Sequence, residues 1–180
     1  MSLRNLHLVF VVDPDTKAVK WHASRPFVNQ HDPDFMGEGW IGVFDNRRDF
    51  TKRGRMLGGS RIVGVQPHTD STNVLFPTAE SDSFYTDVQG KWQRLDNGNM
   101  LLTEAQAGRV VEVGPEGQTV WEWIHEPARK RYETPKVPEV TEGTRYDLTR
   151  ADVASWPCSS VDSVRTSTSR TSVQNQQTSQ

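Results

Sequence analysis

A strand–turn–strand pattern returns three times along the chain, each time around a proline. Val9 to Pro14 leads into Ala18-Val19-Lys20-Trp21, Ile62 to Pro67 leads into Asn73-Val74-Leu75, and Val110 to Pro115 leads into Thr119-Val120-Trp121. The prolines stand at 14, 67 and 115, so the pattern returns after 53 and then 48 residues. Short apolar runs bounded by Gly, Pro, Asn and Asp read as strands rather than helices. Strands are expected at 6–12, 18–22, 40–44, 61–65, 73–76, 100–103, 109–113 and 119–124. A several-stranded unit recurring about every 50 residues is the mark of a β-propeller blade. One blade cannot bury both of its faces, so blades stack and cover each other with bulky side chains. Six tryptophans among 180 residues supply such plugs, and Trp21, Trp121 and Trp123 fall where they are expected.

At roughly 40–50 residues per blade, residues 1–126 hold two to three blades, whereas a closed ring needs about four to eight. The expected fold class is therefore all-β, a partial β-propeller with an irregular extension at 127–158 and a disordered tail at 159–180. The chain is expected to be the C-terminal part of a longer ring or half of an assembly, missing N-terminal blades or self-associating through its open face and edge. Within the extension, Thr149 with Asp152 three residues on marks the N-cap of one short helical turn. The tail is Ser, Thr and Gln without an aromatic and lacks the apolar surface to offset the entropy of ordering.

Composition narrows the function. A net charge of −2 argues against a nucleic-acid footprint. No run of 18 apolar residues is present, so no transmembrane helix is encoded. A single cysteine, Cys158, excludes an intrachain disulfide and a cysteine-rich metal site. Phosphate-cradling, serine-elbow and His-Glu-x-x-His motifs are absent from the sequence. Asp32-x-Asp34 carries Met36 where a calcium loop needs a third oxygen, so no metal is assigned.

The densest polar constellation is Gln30-His31-Asp32-Pro33-Asp34, followed by Trp40 and then Val43-Phe44-Asp45-Asn46, the basic stretch 47–55 and Ser60-Arg61. Further on come Phe84-Tyr85, then Gln93-Arg94-Leu95-Asp96-Asn97-Gly98-Asn99, and Val120-Trp121-Glu122-Trp123. In this order, over about residues 6–126, the chain resembles the arylsulfotransferase family. The resemblance implies a six-bladed propeller that moves a sulfuryl group from an aryl sulfate to a phenol without a nucleotide donor or other cofactor. It implies His31 as the nucleophile that becomes sulfohistidine and Arg61 as the cation on the sulfuryl oxygens. Asn46, Trp40 and either Thr86 or Gln89 fall at substrate-binding positions. The chain departs from the family pattern at Thr86-Asp87, where Ser-Pro is usual, and at Asp32-Pro33-Asp34.

The chemistry fits those residue types. Neutral imidazole is a nucleophile available near neutral pH, and a sulfuryl group in flight spreads charge over its oxygens, so cationic donors and positioning do most of the work. The rival reading is a non-catalytic propeller, a scaffold or ligand-binding module. A quinone-dependent dehydrogenase ranks last, since the adjacent cysteine pair is missing. The family is often exported, but no export signal opens the chain, and no compartment is assigned.

Overall fold

The computed structural model describes residues 1–127 and 137–156. The basic run Arg129-Lys130-Arg131, which the sequence reads as surface, Cys158 and the tail expected at 159–180 lie outside the described residues. The chain divides into two units, Met1–Arg145 and Tyr146–Gln180. Within the second, Thr149 caps the single turn α1 (Arg150–Val153): its hydroxyl accepts from the Asp152 amide while the Asp152 carboxylate accepts from the Thr149 amide at 2.7 Å.

Alternation builds the first unit. Eleven strands form three antiparallel sheets among the described residues. Sheet 1 holds β1 (Ser2–Leu3), β2 (Leu8–Val12) and β3 (Val19–Ala23). Sheet 2 runs in chain order through β4 (His31–Gly37), β5 (Trp40–Asp45), β6 (Arg61–Gln66) and β7 (Ser71–Phe76). Sheet 3 does the same with β8 (Trp92–Arg94), β9 (Met100–Glu104), β10 (Arg109–Val113) and β11 (Thr119–Ile124). The three proline-marked segments are the hairpins β2–β3, β6–β7 and β10–β11, each with one register shift. Strand β4 turns into β5 through Glu38-Gly39, both at positive φ, a tight two-residue reversal that matches strand twist.

The central strands β5 and β6 of sheet 2 are buried on both faces, which explains why they read as near-continuous apolar runs. Successive side chains leave a strand on opposite faces. Ile41, Val43, Val63 and Val65 pack with Val9 and Phe27 on the sheet 1 side. Phe44, Ile62 and Phe76 pack with Phe84, Trp92, Leu102, Val111 and Val113 on the sheet 3 side. Trp92 is the plug of that second layer. Its ring lies so close over Gly42 that a Cβ there would sit 2.2 Å from the indole, so only glycine admits it. Trp21 packs at the edge of the first layer. Trp121 and Trp123, expected between sheets, are instead about half exposed on β11, the strand at the end of sheet 3. The outward face of sheet 3 is partly covered by residues 137–145. There Val140 N–H donates to Ala105 O, Gly143 N–H donates to Thr103 Oγ1, and Arg145 pairs with Glu112.

Candidate functional site

His31 opens β4, opposite Phe44 of β5, and its ring packs on the Phe44 ring with centroids 4.8 Å apart. The imidazole is half-buried and held at both nitrogens. Nδ1 lies 2.7 Å from Asn46 Oδ1 and Nε2 lies 2.6 Å from the Gly90 carbonyl. Asn46 is fully buried, and its amide nitrogen donates to Thr86 O at 2.9 Å and Gln89 O at 3.0 Å. Only the NH2 group can serve two carbonyls, so the amide is fixed with its oxygen toward His31. Ser60 braces the same wall: its hydroxyl lies 2.9 Å from Asn46 O and accepts from the Thr86 amide at 3.0 Å. Both partners of the ring are acceptors, so each ring nitrogen donates to its partner only when it carries a proton.

The flanking residues each have a separate task. Gln30, fully buried, donates through Nε2 to Ser2 Oγ and Leu8 O and so ties sheet 1 to the start of β4. Asp32 turns away from His31: its carboxylate accepts from the Trp92 amide and its carbonyl from the Trp92 indole N–H, at 3.1 and 2.9 Å. Together these bonds dock β4 onto β8.

Of the residues singled out from sequence, the structure gathers His31, Asn46, Thr86 and the Gln89 carbonyl into one network. The Gln89 residue itself is exposed. Trp40 is elsewhere. It sits four positions along β5 from Phe44, beside Gly64, roughly 13 Å away at the usual rise per strand residue. Arg61 lies on the opposite face of sheet 2 from Phe44. Its Nε donates to Asp45 Oδ2 at 2.9 Å and its Nη2 to Pro26 O at 2.8 Å. Asp45 is wholly buried, and burial pushes its carboxyl up against the lowering pull of the Val28 amide and Arg61.

Two further arginines meet at Asp87, next to Thr86: Arg48, from the basic stretch read in the sequence, and Arg4, which sequence did not single out. Arg4 Nη2 donates to the Asp87 carbonyl at 2.6 Å, and Arg48 Nε lies 3.6 Å from the Asp87 carboxylate. Two guanidinium groups thus meet at one residue, one position past Thr86, Arg4 on its main-chain carbonyl and Arg48 near its carboxylate. Arg4 Nε, Arg48 Nε and Asp87 Oδ1 are buried without a hydrogen-bond partner among the described residues. Burial, and then the neighbouring Arg48 charge, lower the Arg4 pKa from its ordinary value. The single arginine at position 4 gives no local sign of this; the contact spans 83 residues.

Stacked antiparallel sheets, with a histidine held between an asparagine and a backbone carbonyl, define an all-β protein with a histidine-centred polar network. The family follows from comparison. The model of the Arylsulfotransferase (ASST) family matches residues 1–127, and the chain belongs to that family. A search of curated proteins finds none that matches it.

Proposed function

We propose that the protein transfers a sulfuryl group from a phenolic sulfate ester to a phenol through a sulfohistidine at His31. The observation that carries this reading is the fixed amide of Asn46. By accepting from Nδ1–H it selects the tautomer whose lone pair sits on Nε2, as an orienting acceptor does for other catalytic histidines. The Nε2 proton first passes to solvent water and the Gly90 contact is given up. The Nε2 lone pair then attacks sulfur, the sulfur–oxygen bond to the aryl group breaks, and its electron pair leaves on the phenolate, which takes a proton from solvent water. In the second half an acceptor phenol, losing its proton, attacks sulfur through oxygen. The nitrogen–sulfur pair returns to His31.

Charge develops on the sulfuryl oxygens and on the phenolate, so a cation with free donors is needed. Arg61 already spends its Nε–H and one Nη2 donor on Asp45 and Pro26. Arg4, which holds the Asp87 carbonyl next to Thr86, keeps an Nε–H without a partner among the described residues, which supports Arg4 for this task. The stacked sheets are read as blades of a six-bladed propeller, a reading supported by the two-sided burial of β5 and β6.

One observation favours a second reading, a non-catalytic ligand-binding module: Nε2, the nitrogen that must attack, is already bonded to Gly90 O. Full-length protein incubated with p-nitrophenyl sulfate and phenol decides between them. Sulfuryl transfer predicts that nitrophenol release falls to background in His31→Ala. It also predicts a fall of about a hundredfold in Arg4→Gln, the usual loss for one transition-state donor. Equal release from wild type and His31→Ala refutes the transferase, and binding without turnover establishes the module.

A further inference from the structure

Asp49 makes the segment between β5 and β6 a built loop. Its carboxylate is the latch: one oxygen accepts from the Thr51 amide and hydroxyl at 2.9 and 2.6 Å, the other from the Met56 and Leu57 amides at 2.8 and 3.2 Å. Gly54 seats the loop on its neighbour. It sits at φ +63°, and a Cβ there would lie 2.6 Å from the Tyr85 ring, so glycine lets the chain close onto residue 85. Phe50 and Lys52 hold a positive φ of 61°, a conformation that bulky side chains rarely take. The latch keeps them there and brings residue 56 back to the carboxylate that residue 50 adjoins.

Two kinds of side chain face outward from this loop. Phe50 and Met56, 79% and 76% exposed, are the most exposed large apolar side chains among the described residues. Beside them in sequence stand Arg47, Arg48, Lys52, Arg53 and Arg55, and Asp49 is the sole acid of the stretch 47–58. That acid is buried and spends its charge on loop amides. Lys52, Arg53 and Arg55 are exposed, and no carboxylate among the described residues pairs with them. The Arg48 guanidinium lies over the Phe50 ring, 4.8 Å from its centroid, so ring and cation are presented together. The loop is thus a local excess of positive charge on a chain whose net charge is −2.

A single exposed apolar residue or a solvated cation needs no explanation. Their combination on one braced loop is selective. A soluble polyanion satisfies the cations and leaves Phe50 and Met56 in water. A protein interface depletes charge around its apolar core, whereas the neighbours of these two residues are lysine and arginine. A bilayer with anionic headgroups meets both demands: the cations stay at headgroup level while the apolar tips reach the acyl boundary.

We propose that the loop 47–58 docks the protein on an anionic lipid surface, with Phe50 and Met56 entering the acyl boundary and Lys52, Arg53 and Arg55 contacting headgroups. Such docking is peripheral and needs no membrane-crossing helix; among the described residues no helix is long and apolar enough to be one. It needs no chemistry at His31 and stands apart from the proposed transfer.

The test is flotation of the full chain with vesicles at low ionic strength. One set is phosphatidylcholine alone; the other carries about one part phosphatidylserine to three of phosphatidylcholine. Soluble heparin serves as the polyanion control. Binding is expected to the serine-containing vesicles and not to pure phosphatidylcholine. Lys52→Gln/Arg53→Gln/Arg55→Gln is expected to weaken it roughly a hundredfold, each cation near such a surface being worth about fivefold. Phe50→Asn/Met56→Gln, in which asparagine suits the positive φ, is expected to weaken vesicle binding at least about tenfold and to leave heparin binding unchanged. Absence of binding to anionic vesicles, equal binding to pure phosphatidylcholine, or full binding by the charge triple overturns the proposal. So does full vesicle binding by Phe50→Asn/Met56→Gln, which would assign the loop to polyanions through charge alone. The five positions are exposed and the two sets share none, so each result stands by itself. Nitrophenol release enters none of these measurements, so this reading and the transferase fail separately.

Discussion

Replacing Asn46 by alanine tests the central network directly. The change removes the acceptor of His31 Nδ1–H and the donors to Thr86 O and Gln89 O. Thr86 O retains the Ser60 hydroxyl at 3.0 Å, so the losses fall mainly on the imidazole and on Gln89 O. With about 1 kcal/mol for the bond lost from the imidazole and about 1–3 kcal/mol for a buried carbonyl left without its donor, the expected destabilisation is about 2–4 kcal/mol. For a chain of this length that lowers Tm by roughly 10 °C. Urea unfolding followed by tryptophan fluorescence reads the change as a shifted midpoint at constant slope, because the buried surface is the same. The control is Asn73→Ala, an exposed asparagine on β7. A loss below about 1 kcal/mol, indistinguishable from that control, would show that the imidazole clamp contributes little.

Two further outcomes follow from the packing and the latch. Gly42→Ala drives a methyl group into the Trp92 ring at 2.2 Å and is expected to cost about 1–3 kcal/mol by overpacking; an unchanged urea midpoint would count against the fit of sheet 3 onto sheet 2. The Asp49 carboxyl, although burial acts to raise it, is held at about 2 by its bonds from Thr51, Leu57 and Met56, against an ordinary value of 3.8. Its folded pKa is depressed, so the stability it contributes is present above 3.8 and lost as pH falls toward about 2. The ring resonances of Tyr85, which packs over the latch, report that step by NMR. Asp49→Asn should abolish it, and an identical step in the variant would assign the transition to another group.

What could be read from sequence follows from how local its cause is. The eight expected strands correspond to β2, β3, β5, β6, β7, β9, β10 and β11, because each carries its own apolar run and its own turn residues. Strand β4 was invisible, although it bears His31. His31-Asp32-Pro33-Asp34 has neither alternation nor β-branched side chains, and its extended shape is imposed by the Glu38-Gly39 reversal and by Trp92 reaching Asp32 across 60 residues. The tryptophans teach the same lesson from the other side. Trp92, Trp121 and Trp123 are alike as residues, but only Trp92 meets a glycine on the facing strand, and position in the sheet order leaves the other two on an outer strand.

The site divides along the same line. His31 and Asn46 stand 15 residues apart around one hairpin, close enough for the pattern Gln30-His31 to Asp45-Asn46 to mark them as a pair. Arg61 belongs to that pattern as well, yet strand parity carries it to the face opposite Phe44, where Asp45 and Pro26 hold it. Such parity was legible: residues 45 and 61 are register partners, and neighbours of Phe44 and Ile62 must point the other way. The compensating charge is what a linear reading misses. Arg4 and Arg48 come together only where the chain returns at Asp87, the first on its carbonyl and the second near its carboxylate, and that meeting exists in no local window. The His31 network thus has its histidine and asparagine in one hairpin, while the arginines that meet Asp87 come from separate segments. Substitutions at Asn46 and at Arg4 should therefore be separable, the first acting on stability and ring orientation, the second on affinity for anions.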